Sequence, residues 1–311
     1  ISALQHAINL KLQDEAAFNA EYQNEPLSEE LSTDDLMSVD EIAGKVNGLA
    51  HGRVPLACDK LTMFIDVQKA LLFYVVAAWS ENFTGAVIDY GAWPDQHRRQ
   101  FSLLDANPTI QTAFPKAGFE GALYAALDAL TKDYLSREWE REDGGMLKIE
   151  KALIDANWGQ STDIIYQFCR QSVHAGVLLP SHGRYVGASS KPMTEYRKQP
   201  GDRLGLNWMM PNVAGKRAIR HVVYDSNYWK SFIHARLAVP LGDKGSLSLY
   251  GRLPGIHQLY AEPLTAEYRV KTQGRGRWVD EWKLKPDRTD NHWLDCTAGC
   301  AVCASMLGAT L

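Results

Sequence analysis

No run of roughly 18 apolar residues occurs in the 311-residue chain, so nothing in it reads as a membrane span. No basic-then-apolar leader follows Ile1, and a chain that starts inside helix-like sequence reads as part of something longer. The phosphate-cradling pattern Gly-x-x-x-x-Gly-Lys-Ser/Thr is missing too. Its nearest approach, Ala214-Gly215-Lys216-Arg217, lacks the first glycine and the hydroxyl, which excludes a nucleotide-hydrolysing loop of that kind. Cysteine is sparse and odd in number: Cys58, Cys169, Cys296, Cys300 and Cys303. Without paired spacing these argue for a reducing compartment rather than a disulfide scaffold. Cys296, Cys300 and Cys303 fall at i, i+4, i+7 on one helix face, which suits either a soft-metal site or small thiols packing a helix onto a sheet. There is no internal repeat and no low-complexity tract.

The chain has an ordinary globular composition, 45% hydrophobic and 23% charged, and is long enough for one large α/β domain with insertions or one domain plus an arm. Residues 1–60 are helical at first, then rich in Glu, Asp, Ser and Pro, with Asp40-Glu41-Ile42 opening a second short helix and Val54-Pro55 closing a lead-in arm. The core pattern begins at Leu61. Three apolar, β-branched runs at 62–67, 71–79 and 85–90 predict an antiparallel meander. An amphipathic helix follows through Phe119, Leu123, Leu127, Leu130 and Tyr134. Further strands are expected at 151–156, 177–179 and 246–250, and helices from Ser161 or Thr162, from Asp225 or Ser226, and over 291–307. Residues 181–221 have no firm period and read as an insertion or long loop, whereas 266–285 reads as a hairpin turning across Gln273-Gly274-Arg275-Gly276. The whole predicts a mixed α/β sheet, antiparallel in strands 1–3 and parallel afterwards, flanked by helices over residues 61–311.

A net charge of −4 does not advertise a nucleic-acid binder, but the charge is uneven. Arg184, Lys191, Arg197, Lys198, Arg203, Lys216, Arg217, Arg220, Lys230 and Arg236 face only Glu195, Asp202 and Asp225 in their stretch. A second basic stretch, 269–288, carries Arg275 and Arg277. Both suit either solvated surfaces or phosphate contacts.

The sharpest signal is the placement of aspartates. Asp66, Asp89 and Asp155 each follow at least two apolar residues at the end of an expected strand, in Phe64-Ile65-Asp66, Val87-Ile88-Asp89 and Leu153-Ile154-Asp155. Aspartate is disfavoured in strands, and burying even a neutral polar group without a partner costs about 2–7 kcal/mol. Three such strands call for a compensating cation, and Mg2+ suits hard carboxylate oxygens. His292 and Asp295, at i and i+3, share one face of the closing helix and can bring a further acid and an imidazole to the same point. Strand acids plus one helix acid is the arrangement of two-metal phosphoryl-transfer sites. Lys230, on the helix after Asp225, is read either as a phosphate contact or as a lysine reaching to solvent along an apolar surface.

The order Glu21-Tyr22-Gln23-Asn24-Glu25-Pro26, Phe64-Ile65-Asp66-Val67-Gln68, Ile88-Asp89-Tyr90-Gly91, Ile154-Asp155-Ala156-Asn157-Trp158-Gly159, Leu264-Thr265-Ala266-Glu267 and Asn291-His292-Trp293-Leu294-Asp295-Cys296 resembles the C-terminal part of bacteriophage large terminase subunits, the lambda-type, GpA-like branch above all. Each motif is short, and the resemblance rests on their order over nearly the whole chain. It implies an RNase H-like, RuvC-like endonuclease that uses Mg2+ or Mn2+, two ions, to cut concatemeric double-stranded DNA at the start and end of packaging. It also implies that Asp66, Asp155 and Asp295 are the catalytic and metal-binding acids, with His292 beside Asp295. Asp89 falls at a family-typical position and is a further metal candidate, and Glu267 and Lys230 are accessory candidates. Arg184, Lys191, Arg197, Lys198, Lys216, Arg217, Arg220, Arg275 and Arg277 become candidate DNA contacts. Family partners would be the ATPase motor, which this chain lacks and to which residues 1–60 would connect, the small terminase and the portal. The setting would be the host cytoplasm at the procapsid portal, outside the mature virion. Rival readings are a RuvC-like junction resolvase or transposase, a non-enzymatic docking module for portal or DNA, and a hydrolase of small phosphoesters.

Overall fold

The structure, a computed structural model, describes residues 36–213 and 219–311; the expected first helix, the motif at 21–26, Lys216 and Arg217 lie outside that range. From residue 36 on, the stretch expected as a lead-in arm packs into the main body. Ser38 caps α1 (Val39–Ala43) in a capping box with Glu41, which turns Ile42 and Ala43 fully inward. The chain then pairs alongside Leu249, where the Asn47 amide donates to the Leu249 carbonyl at 2.9 Å.

The meander forms as expected: β1 (Lys60–Val67), β2 (Leu72–Trp79) and β3 (Gly85–Trp93) are antiparallel neighbours. Their apolar runs are continuous rather than alternating because helices cover both faces of the sheet. After α2 (Phe119–Ser136) the chain returns as β4 (Lys151–Asp155), parallel to β1. Next come α3 (Thr162–Gln171) and β5 (Leu178–Arg184), parallel to β4. The region read as an unstructured insertion is partly ordered into sheet, with a small hairpin of β6 (Arg203–Gly205) and β7 (Trp208–Met210) leading to β8 (Val222–Asp225). Strands of three or four residues are too short to show a period, which is why the sequence pattern missed them. Asp225 caps α4 (Ser226–Ala238) by accepting the Tyr228 amide, as expected.

β9 (Leu247–Leu249) and α5 (Gln258–Leu264) precede the hairpin of β10 (Glu267–Gly274) and β11 (Arg277–Leu284), and α6 (His292–Met306) closes the fold. The main sheet runs β9-β3-β2-β1-β4-β5-β8-β7-β6. Three antiparallel strands followed by parallel β4, β5 and β8 across β1 give the RNase H-like order expected. α2 and α3 pack on one face, and α4, α5 and α6 on the other. No described helix is long and apolar enough to cross a membrane.

Candidate active site

Parallel pairing of β1 with β4 sets the centre of the site. Ile65 pairs with Ile154, so Asp66 and Asp155 stand side by side one step further along. Phe64 and Leu153, two residues back in each strand, lie in the core under α6, and the period of two turns both aspartates to that same face. Both acids sit at the C-terminal ends of parallel strands, where open α/β sheets present their ligand crevice.

α6 brings the remaining groups because it lies very close to the sheet. Gly299 faces the Phe64 ring so closely that an added Cβ would fall 1.8 Å from a ring carbon. Cys296, Cys300 and Cys303 point their sulfurs at three different strand carbonyls, those of Phe73, Val75 and Met63, at 3.6, 3.3 and 3.8 Å. Burial pushes all three thiols up, away from the thiolate a soft metal needs. Packing is therefore their role.

At the start of α6, His292 Nδ1 lies 2.6 Å from Asp66 Oδ2, and its ring stacks on Phe73 with centroids 4.4 Å apart. Burial opposes the imidazolium, but the hydrogen bond to Asp66, with Asp290 nearby, holds His292 above its ordinary value. Gln68 donates to both Asp66 oxygens at 3.2 Å. Lys230 reaches from α4 to Asp295 Oδ1 at 2.9 Å and to Glu267 Oε1 at 2.5 Å. Asn291 donates to that same Glu267 oxygen. Burial works against the Lys230 charge, yet Asp295 and Glu267 more than offset it and hold the ammonium above its usual range. Burial first, then Asp66 and Asp295, push Asp155 well above the ordinary carboxylate range. Asp295 is raised by burial, then pulled back by Lys230, while Glu267 and Asp66 raise it further.

Asp66, Asp155, Asp295 and His292 are thus brought together, with Lys230 and Glu267 joined to them. Asp89 is not. Val76 pairs with Asp89 and Ala77 with Val87, so Ile88 is an extra, bulged residue on β3, and Asp89 follows it onto the face of α2. There it sits buried, 2.8 Å from His51 Nε2 and within reach of the Tyr134 hydroxyl. Strict alternation from Val87 would have put it on the face of α6, though still not level with Asp66.

Of the candidate DNA contacts, Arg184, Lys191, Arg197, Lys198, Arg220 and Arg275 are exposed. Arg277 is committed elsewhere: its guanidinium donates to the carbonyls of Gly187 and Ser190 at 3.1 and 2.9 Å. Gln68, Asn291 and the Phe73 platform had no assigned part. Only their nearness in sequence to Asp66 and His292 pointed to the first two, and nothing pointed to Phe73.

Among the described residues no three His, Cys, Asp or Glu side chains are already drawn together closely enough to hold a metal ion. The donor set nevertheless suits a hard divalent cation. Asp66, Asp155, Asp295 and Glu267 cluster with Lys230 and His292, fewer basic side chains than carboxylates. Asp155 takes a 3.4 Å contact from the Asn157 amide, and among the described residues no cationic side chain pairs with it. An open carboxylate beside two others is the chemistry a cation completes.

The sequence pattern of the endonuclease domain of terminase large subunit gpA matches residues 12–310. No curated protein matches the chain. Among solved structures, a lysine-to-alanine variant of the nuclease domain of the large terminase subunit gp2 of bacterial virus Sf6, with manganese, is similar at 12% identity. The match covers 85% of this chain and 97% of that one, with a TM-score of 0.41.

Proposed function

The chain belongs to the family of terminase large subunit gpA endonuclease domains, and from that membership we propose that it cuts concatemeric double-stranded DNA with divalent metal held by Asp66, Asp155 and Asp295. The observation that supports this reading most is the β1–β4 register, which sets Asp66 beside Asp155 under the helix that carries Asp295. Bound there, Mg2+ or Mn2+ supplies Lewis-acid polarisation of the scissile phosphate and activation of water, as one ion or two. The chain's own residues supply the rest. His292 and Gln68 fix the Asp66 carboxylate in one orientation, and Phe73 holds the imidazole plane. Lys230 offsets the charge of Asp295 and Glu267. In this reading the substrate is duplex viral DNA, the partners are the ATPase motor, small terminase and portal, and the setting is the host cytoplasm at the procapsid.

Plasmid nicking in Mg2+ and in Mn2+ tests the assignment. Asp66→Asn, Asp155→Asn and Asp295→Asn should each lower the rate by at least about a hundredfold while keeping the wild-type circular dichroism. Asp89→Asn, on the other face of the sheet, should retain nicking. Undiminished cutting by folded Asp66→Asn and Asp155→Asn proteins would overturn the reading. Absence of cutting by the wild type in either metal would favour a docking module.

A further inference from the structure

Lys230 is held by two carboxylates where one would balance its charge, and the two are unlike. Glu267 is the inner partner: its side chain is 4% exposed, and Asn291 pins it from the other side. Asp295 is the outer partner, with 33% of its side chain open to solvent, so a cation arriving from solvent meets Asp295 and not Glu267. Glu267 has a second oxygen, Oε2, that is buried with no hydrogen-bond partner. A buried ammonium stripped of its partner costs several kcal/mol. One that can pass from Asp295 to a waiting acceptor avoids that cost.

From this geometry we propose that Lys230 is an exchangeable counter-ion of Asp295, which yields that carboxylate to the metal while Glu267 keeps the ammonium paired. The proposal rests on the metal reading above. It makes Glu267 a positioning residue that acts through Lys230, not a metal ligand. Because Glu267 is also the first residue of β10, the base of the β10–β11 hairpin carries the residue on which Lys230 depends.

The test is Mn2+ binding to the intact chain without DNA, followed by the electron paramagnetic resonance signal of free Mn2+. Lys230→Met removes the competing charge and should tighten Mn2+ binding by about tenfold. Glu267→Gln removes the inner partner, leaves Lys230 on Asp295, and should weaken binding several-fold. In the Lys230→Met background the effect of Glu267→Gln should shrink, because its route through Lys230 is gone and only its direct field on Asp295 remains. Lys230→Gln, which keeps a hydrogen-bonding end, should tighten binding in the same direction and serves if the methionine variant does not fold. Weaker binding in Lys230→Gln, or an undiminished Glu267→Gln effect without Lys230, overturns the proposal and leaves the metal reading intact. Wild-type binding that is absent, or that survives Asp155→Asn, overturns both.

Discussion

Two buried titratable residues on α4 show how single side chains set the response of the fold to acid. Asp225, the helix cap, is pushed up to about 6 by burial. His234, stacked on Trp282 at 4.4 Å, is pushed down to about 4, by burial first and then by Arg269 and Lys230. An acid raised in the folded state binds its proton more tightly there, so its contribution is present below its unfolded value of 3.8 and is lost as pH rises towards 6. A histidine lowered in the folded state does the reverse, and stability is lost as pH falls from 6.5 towards 4. Over pH 4–6 the two oppose each other, each worth at most about 3 kcal/mol. Asp225→Asn keeps the cap but removes the gain, so urea unfolding should show a steeper loss of stability on acidification. His234→Phe keeps the stack and should make that loss shallower. Equal slopes in wild type and both variants would contradict the assignment. Asp225 was legible in the sequence as a cap, because Asp before a helix-like run is a strong local signal. His234 was not, since a histidine's burial depends on what packs over it.

At the scale of the element, the closing helix matters through the residue it lacks a side chain for. Gly299 in the interior of α6 would ordinarily cost about 1 kcal/mol relative to alanine, so Gly299→Ala should stabilise an isolated helix. Here the added methyl would collide with the Phe64 ring, which is 1% exposed and has nowhere to turn. Overpacking of this kind costs about 1–3 kcal/mol and displaces backbone. The expected outcome is a lower melting temperature together with lost nicking, because His292 and Asp295 move with the helix. Phe64→Leu should restore part of both in the double variant, and a Gly299→Ala protein as stable and active as wild type would refute the packing argument. The strands beneath were legible because β1, β2 and β3 are long, apolar and β-branched, and a buried acid at the end of such a run is conspicuous. The same signal misplaced Asp89. Its sequence context matches that of Asp66 and Asp155, but the bulge at Ile88 just before it is a property of two strands in register, and one strand's sequence does not carry it.

Across the whole molecule, two basic stretches separate in sequence are joined, where Arg277 meets Gly187 and Ser190. The turn of the β10–β11 hairpin, Arg275-Gly276, has both residues at positive φ, 52° and 74°, as a tight two-residue hairpin requires. Just behind it, Arg277 donates to Gly187 and Ser190, and Glu281 accepts the Ala188 amide at 2.9 Å. The hairpin is therefore fastened to the segment that carries Lys191, while its base reaches the site through Glu267 and Lys230. Sequence charge alone left each stretch balanced between a solvated face and a DNA wall; their joining through a hairpin whose base holds Glu267 supports the wall. Each lysine or arginine that touches phosphate releases counter-ions, so losing one contact should lower the slope of log affinity against log salt by about 1. Duplex binding by a nicking-deficient Asp66→Asn chain, measured across a salt series, separates the roles. Arg275→Ala and Lys191→Ala should each reduce the slope by that amount with no change in melting temperature. Arg277→Ala, which unfastens the hairpin, should instead lower stability and weaken binding by more than one contact's worth. Slopes unchanged in both Arg275→Ala and Lys191→Ala would place the DNA path elsewhere on the molecule.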